Sequence, residues 1–490
     1  MQKFNSIVEA VAWNASNNPD KLCVIDEKEY TYASFFHLIM RICVKLKNEK
    51  VLQGDSILAE CNQSAEFLAV SMACQLLGII FVPMEKNVNE ASVGKYIKET
   101  NAKIIVSDKY NNEIGIKVIS YIQLCEITSE ENVYSFPCES GIAEILFTTG
   151  TTGSSKGIII SNKANVALAE NIITGTQMQH NNVELIPLPI SHSHGLRSCY
   201  ANLLNGSTIV LADGVLFIKK IFALIEKYSV SAIDLAPSAA DIILKLSKNK
   251  LQQFSQQLDY VQIGTAFLKE NTKEQLIQLL PNTRLYNFYG STEAGRCCVL
   301  NFNEYRNKKY CIGKPTVNAK IKIVDDSLNE VISSSEKMGM LAIGGDMNMN
   351  AYLGKPELTS KTLIDGYVIT NDIGYIDIEG FIYVLGRKDD VINYKGIKIA
   401  PEEIEQIIVQ YDGIEDCACI PIEDKISGQV PMVFIKTTTD ADLDMSILNE
   451  YIRKNIDENK RPKKIIKVKK IPRTENGKIK RKELKEKYNE

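Results

Sequence analysis

Short apolar, β-branched runs that alternate with helix-like segments constrain this chain more than any other feature. Ile104-Ile105-Val106, Ile209-Val210-Leu211 and Val261-Gln262-Ile263 have the length and residue type of buried strands, and helix-like segments such as Phe217 to Tyr228 lie between them. That alternation implies an α/β fold with largely parallel sheets. At 490 residues the chain exceeds what one hydrophobic core usually supports, so at least two domains are expected. Its character changes after about residue 386. The charged, turn-forming Gly386-Arg387-Lys388-Asp389-Asp390 is followed by a predicted helix from Pro401 to Val409, with proline at its first position, and later by a Lys-rich tail. We therefore expect a large N-terminal domain of packed α/β layers over residues 1–386 and a small α+β domain over 387–490, divided near Asp389.

Composition narrows the function classes. Lys and Arg number 57 against 60 Asp and Glu, and the net charge of -3 gives no reason to expect nucleic acid as a partner. The 12 cysteines lack the paired spacing of a zinc site, since Cys297 and Cys298 are adjacent and Cys417 and Cys419 are separated by one residue. They read as reduced thiols, which points to a cytoplasmic protein. Phe4, Ile7, Val8 and Val11 fall at helical spacing where a secretion signal would carry an apolar block. The most apolar stretch, Phe67 to Val82, is short for a membrane span and contains Gln75 and Gly78. It reads as a buried helix and then a buried strand, Ile79 to Val82, closed by Pro83, and no integral membrane segment is expected.

The strongest chemical signal is Ile145-Leu146-Phe147-Thr148-Thr149-Gly150-Thr151-Thr152-Gly153-Ser154-Ser155-Lys156-Gly157, where a buried strand enters a loop of glycines and hydroxyls that ends in a lysine. Glycines let backbone N–H groups approach phosphate oxygens, hydroxyls donate further hydrogen bonds and the lysine adds positive charge. The loop lacks the Gly-Lys-Ser/Thr ending of a Walker motif, and a flexible hydrophilic turn is its plain alternative. Pro187-Leu188-Pro189-Ile190-Ser191-His192-Ser193-His194-Gly195-Leu196 carries two histidines two residues apart but no adjoining acidic residue, so a polar turn with one buried, hydrogen-bonded histidine competes with any ligand role. In Asn287-Phe288-Tyr289-Gly290-Ser291-Thr292-Glu293, after a predicted strand, the tyrosine can stack on a purine, the asparagine amide can bond its edge and the glutamate can hold Mg²⁺; a strand end and turn is the alternative.

Taken together and in order, these stretches closely resemble the signatures of the adenylate-forming superfamily, which includes acyl-CoA synthetases, firefly luciferase and the adenylation domains of peptide synthetases. The resemblance covers nearly the whole chain. It implies that Thr148, Thr149, Gly150, Thr151, Thr152, Gly153 and Lys156 form the phosphate loop, and that His192 lies beside the substrate carboxylate. Gly264, Thr265 and Ala266 would line the adenine. Asn287, Tyr289 and Gly290 belong to the adenine-binding motif, Thr292 would meet the α-phosphate and Glu293 the metal. Tyr367-Val368-Ile369-Thr370-Asn371-Asp372 resembles a Thr-Gly-Asp segment whose aspartate takes the ribose hydroxyls. Asn371 replaces the glycine, and because asparagine tolerates left-handed backbone the turn should be kept and Asp372 with it. Gly386-Arg387-Lys388-Asp389-Asp390-Val391-Ile392 resembles the hinge, with Arg387 at the ribose and Asp389 at the pivot of a mobile C-terminal domain, and Lys395 and Gly396 would line a thiol tunnel. In Pro472-Arg473-Thr474-Glu475-Asn476-Gly477-Lys478, Lys478 matches the lysine that neutralises charge between carboxylate and α-phosphate.

The implied reaction joins a small-molecule carboxylic acid to AMP with Mg²⁺ and ATP, releases pyrophosphate and passes the acyl group to a thiol. Coenzyme A is the favoured acceptor, and a carrier-protein phosphopantetheine, hence an acyl carrier protein, is the alternative. A P-loop nucleotidase is disfavoured by the missing Walker ending. A non-catalytic ATP- or adenylate-binding protein would not need Glu293 and Lys478 together. Ser193 stands where amino-acid-activating relatives carry an aspartate for the α-ammonium, so an acid without an α-amino group is expected. Met340 in Gly339-Met340-Leu341, where relatives often have glutamate, is the other departure.

Overall fold

The computed structural model describes residues 2–126, 134–148, 156–395, 397–424, 426–438, 443–473 and 479–488. Its chain forms two compact units, one of residues 1–309, 313–320 and 343–368, the other of residues 310–312, 321–342 and 369–490.

The first unit is built on two sheets. One contains the parallel run Thr208–Leu211, Val183–Ile186, Ala232–Leu235, Tyr260–Ile263 and Arg284–Ser291 in that spatial order, after which Gly295–Asn301 turns back antiparallel. The strand residues are buried almost throughout, as a sheet covered on both faces requires. The intervening helix expected at Phe217 to Tyr228 forms over Ile218–Lys227. The second sheet has the order Ala351–Tyr352, Lys156–Ser161, Ile142–Thr148, Ile80–Met84, Ser56–Glu60, Ile104–Val106 and Lys117–Ile119. Helix Ala65–Leu77 precedes Ile80–Met84 and ends on Gly78, which adopts φ 65° at the C-cap. The strand runs on through Pro83 to Met84 instead of closing at it. Its pairing with Ile142–Thr148 is confined to Phe81 opposite Glu144, so the missing N–H of Pro83 interrupts no register on that side.

In the second unit, Ile414–Asp424 and Gly428–Thr437 form a long hairpin that alternates between two cores. Cys417, Cys419, Val433 and Ile435 face the core made with helices Pro401–Val409 and Met445–Asn455, whereas Ala418, Ile420, Met432 and Phe434 face Ile471 and Leu484. The helix expected from Pro401 to Val409 has those bounds, with Pro401 in its first turn. Tyr367–Ile376 is a continuous strand, and Asn371 within it has no positive φ. The left-handed turn expected at Asn371 is therefore absent, and ladder pairing, Asp372 opposite Arg387, holds the segment instead. Among the described residues, no helix is long and apolar enough to cross a membrane.

Candidate nucleotide and acid site

The phosphate-loop signature begins and ends on one hairpin. Thr148 and Lys156 are Cα partners at its loop end, and residues 149–155, hence Thr149, Gly150, Thr151, Thr152 and Gly153, lie outside the described residues, as do Gly396 and Lys478. From that end the Lys156 ammonium lies 5.5 Å from the centre of the Tyr352 ring. The Tyr352 hydroxyl donates to Glu293 Oε1 at 2.9 Å, and the Met349 N–H donates to the Glu293 carbonyl at 2.8 Å. Tyr352 thus joins the loop lysine to the Asn287–Glu293 motif. Sequence reading did not single it out, and it follows the motif by about sixty residues.

The motif does not follow a strand but lies largely on one, Arg284–Ser291, and only Thr292 and Glu293 fall in the turn beyond it. Asn287 sits beside Ile263 in the parallel register, which brings it next to the Gly264-Thr265-Ala266 strip. Asn287 Oδ1 and Thr265 Oγ1 are buried without a hydrogen-bond partner, two polar atoms whose desolvation only a ligand or water would offset. Thr265 also holds φ 82°, a costly conformation for a β-branched residue and one that gathers at binding sites. Two glycines are required by contact. A Cβ on Gly264 would lie 2.5 Å from His194 Cε1, and one on Gly290 would lie 1.9 Å from the Gly295 carbonyl oxygen.

The two histidines have different surroundings. His192 begins helix Ser193–Asn205 without a side-chain capping bond, and its Nε2 lies 3.3 Å from Glu85 Oε1. His194 is the less exposed of the two and is hydrogen-bonded, with Nε2 2.8 Å from Asp234 Oδ1. Asp234 Oδ2 also accepts from Ser198 Oγ, and Arg296 lies 3.3 Å from that same oxygen. Arg296 donates to Gln262 Oε1 and to Ser198 Oγ, each at 2.6 Å, and to the His194 carbonyl at 2.9 Å. Gln262 donates to Glu184 at 2.6 Å, and Asn202 donates to the other Glu184 oxygen. Burial, reinforced by Arg296, holds His194 below the usual imidazole range. Burial works to raise Asp234, yet His194 and Arg296 outweigh it and hold the carboxyl below its usual range. Glu184 is pushed up to about 7, first by burial and then by the charge of Asp234.

In the second unit, the Arg387 guanidinium nitrogen Nε lies 3.6 Å from Asp372 Oδ1, so the two residues matched to the ribose sit together. Asp389 lies in the turn that follows, where Asp390 and Val391 donate their N–H groups to the Arg387 carbonyl. Lys395 has φ 49° and its ammonium lies 5.3 Å from the centre of the neighbouring Tyr394 ring. Met340 is buried, with its sulfur 4.0 Å from the Lys388 ammonium.

Residues 11–353 match the AMP-binding enzyme family, and residues 403–478 match the AMP-binding enzyme C-terminal domain. Among curated relatives, 4-coumarate–CoA ligase of Vanilla planifolia is 27% identical, over 96% of this chain and 91% of that protein. The 4-coumarate–CoA ligase 3 of Arabidopsis thaliana is 28% identical, over 96% and 89%. Among solved structures, ATP-bound MatB from Rhodopseudomonas palustris superposes with a TM-score of 0.90 at 21% identity, over 100% of this chain and 99% of that one. The o-succinylbenzoate CoA synthetase MenE of Bacillus subtilis, bound to its acyl-adenylate intermediate, gives 0.87 at 22% identity, over 97% of each chain. These structures share the fold. The family match spans more than half of the sequence and takes in the loop, the adenine strip and the Asn287–Glu293 motif, so this chain belongs to the adenylate-forming superfamily, as an AMP-binding enzyme of the AMP-forming acid–thiol ligase type.

Proposed function

We propose that this enzyme activates a carboxylic acid lacking an α-amino group as acyl-AMP, with release of pyrophosphate from ATP, and then passes the acyl group to the thiol of coenzyme A. The observation that carries the reading is the meeting of Lys156 and Glu293 on Tyr352, at the end of the hairpin that adjoins the Gly- and hydroxyl-rich loop. A cation and a carboxylate gathered there suit a magnesium nucleotide. A magnesium ion that arrives with a nucleotide needs only one or two protein carboxylates, and Glu293 is the one assigned here. Mg²⁺ held by Glu293 would neutralise phosphate charge.

The buried Asn287 Oδ1 offers an acceptor to the adenine amino group, and Gly264 lets its strand pass close against His194. Asp372, beside Arg387, offers a carboxylate to a vicinal diol. The carboxylate of the acid attacks the α-phosphorus and the pyrophosphate oxygen departs, while Thr292 and Lys478 stabilise the charge on the α-phosphate. His192, whose ring Glu85 orients, is assigned to the acid's carboxylate. With Ser193 beside it, an α-ammonium would find no carboxylate at that position to offset its desolvation.

We assign residues 387–490 as the mobile domain, with Asp389 as its hinge and Lys395 and Gly396 at the thiol's approach. The CoA ligases among the relatives support coenzyme A as acceptor. The test adds coenzyme A or a phosphopantetheinylated carrier protein to preformed acyl-AMP on the enzyme. Acyl-CoA and AMP are expected with coenzyme A. Transfer to the carrier alone would overturn the choice of thiol.

A further inference from the structure

The hinge segment and the segment that carries Lys478 are tied to one arginine. Arg481, 6% exposed at the start of the last helix, Arg481–Tyr488, donates to Glu402 Oε1 at 2.5 Å, to both oxygens of Glu405 and to the Cys419 carbonyl at 3.0 Å, and its Nε lies 3.7 Å from Asp390 Oδ2. One turn further along that helix, the Lys485 ammonium donates to the Asp389 carbonyl at 2.9 Å and to Asp390 Oδ1 at 3.4 Å. Just before it, the bridge between Arg473 and Ile479 and the 2.9 Å bond from the Lys480 N–H to the Pro472 carbonyl join the two ends of the segment that contains Lys478. On the other side of the hinge, Gly386 adopts φ 136° with Glu402 against it, where a Cβ would lie 2.9 Å from Glu402 Oε2.

These contacts locate the freedom of the hinge. The peptide plane after Asp389 is fixed by Lys485, and the Asp390 side chain is fixed by Lys485 and Arg481 together. Once the turn bonds from the Asp390 and Val391 N–H groups to the Arg387 carbonyl open, the φ and ψ of Asp389 and the bonds before them are what remains to turn. A rigid frame beyond that point includes helix Pro401–Val409, the last helix and both ends of the lysine segment. For Lys485, stability gives a poor reason for the contact. Its side chain is partly exposed, and such ion pairs contribute little to folding.

We propose that Arg481 and Lys485 are positioning residues for acid activation: they lock Asp390 and the Asp389 carbonyl to the frame that holds both described ends of the segment containing Lys478, so that rotation about Asp389 turns those ends as part of one body. This rests on Asp389 as the hinge and Lys478 as the activating lysine. Loosening the lock lets the two ends of that segment turn apart from the hinge and slows acid activation without touching nucleotide or acid.

The test is single-turnover acyl-AMP formation, normalised to active sites by burst amplitude, on K485A, D390N, the double variant K485A/D390N and the conservative K485R. Each variant's ATP affinity and thermal midpoint are measured alongside. K485A and D390N should each slow acyl-AMP formation by about tenfold, the scale of one charge-assisted contact acting on positioning. The double variant should be no slower than either single one, K485R should restore most of the rate, and ATP affinity and thermal midpoint should stay at the wild-type values. R481K should slow the same step, but its burial makes it the less clean probe. Wild-type rates in K485A and D390N, multiplicative effects in the double variant, or a loss explained by fewer active sites would overturn the proposal. Failure of the wild-type protein to form acyl-AMP would instead overturn the underlying functional reading.

Discussion

Replacing Glu184 with glutamine should stabilise the first unit, and the gain should depend on pH. Glu184 lies fully buried on strand Val183–Ile186 and accepts from Gln262 and Asn202. Burial and the nearby Asp234 charge push it from 4.5 up to about 7. A carboxyl whose folded value is raised binds its proton more tightly in the folded state, so its relative stabilisation is complete below the unfolded value and is lost as pH rises through the folded one. Above both values, the 2.5-unit difference corresponds to a cost of about 3 kcal/mol for keeping the group ionised, and at about pH 5 that cost is under ~1 kcal/mol. Glutamine has the same shape and no charge, and Asn202 Oδ1, buried and without a partner, can accept from the new amide. Trp13, the single tryptophan, reports the unfolding, since its helix Ile7–Asn17 packs on helix Ser193–Asn205, which carries Asn202. Urea unfolding followed by Trp13 fluorescence should show Glu184→Gln more stable than wild type at about pH 8 and nearly equal to it at about pH 5. A variant that is less stable at pH 8, or one whose gain is the same at both pH values, would refute the reasoning.

Asp234→Asn should act in the opposite direction, because it leaves the buried Arg296 guanidinium without its counter-charge; a loss of about 3–5 kcal/mol is expected by urea unfolding at neutral pH. The depressed values of His194 and Asp234 make the wild-type network weaken as pH falls, first below the ordinary imidazole value of about 6.5 and later below the ordinary aspartate value of about 3.9. Lys478→Ala should slow acyl-AMP formation by orders of magnitude yet leave thiol transfer from supplied acyl-AMP nearly intact, and Asp389→Pro should do the reverse by fixing φ near −65°; single-turnover assays of both steps check the pair.

Much of the fold was legible in local pattern. Ile104–Val106 and the helix Pro401–Val409 form where apolar runs and proline position indicate, because an apolar, β-branched run and a proline at a first helical position carry their signal locally. The candidate site was legible where one contiguous segment holds its chemistry, as in Asn287 to Glu293. Tyr352 was not, since its meaning arises only when Ala351–Tyr352 pairs with Ile158 and Ile159 beside Lys156. The network of Glu184, Asp234, Gln262 and Arg296 left a fainter signal. Three of these interrupt otherwise apolar strand runs, and a polar residue inside a buried strand requires a partner that local pattern does not name. Asn371 misled in the other direction, because the rule that asparagine tolerates left-handed backbone was applied where pairing with a neighbouring strand had already settled the conformation.

The central claim, that this enzyme makes acyl-AMP, is tested most directly by following the fate of ATP across a panel of short-chain, long-chain, aryl and amino acids with Mg²⁺ and without any thiol. The account predicts pyrophosphate, one per acyl-AMP formed, with at least one acid that has no α-amino group. Cleavage of ATP to ADP and phosphate, or efficient activation of a free α-amino acid, would contradict it.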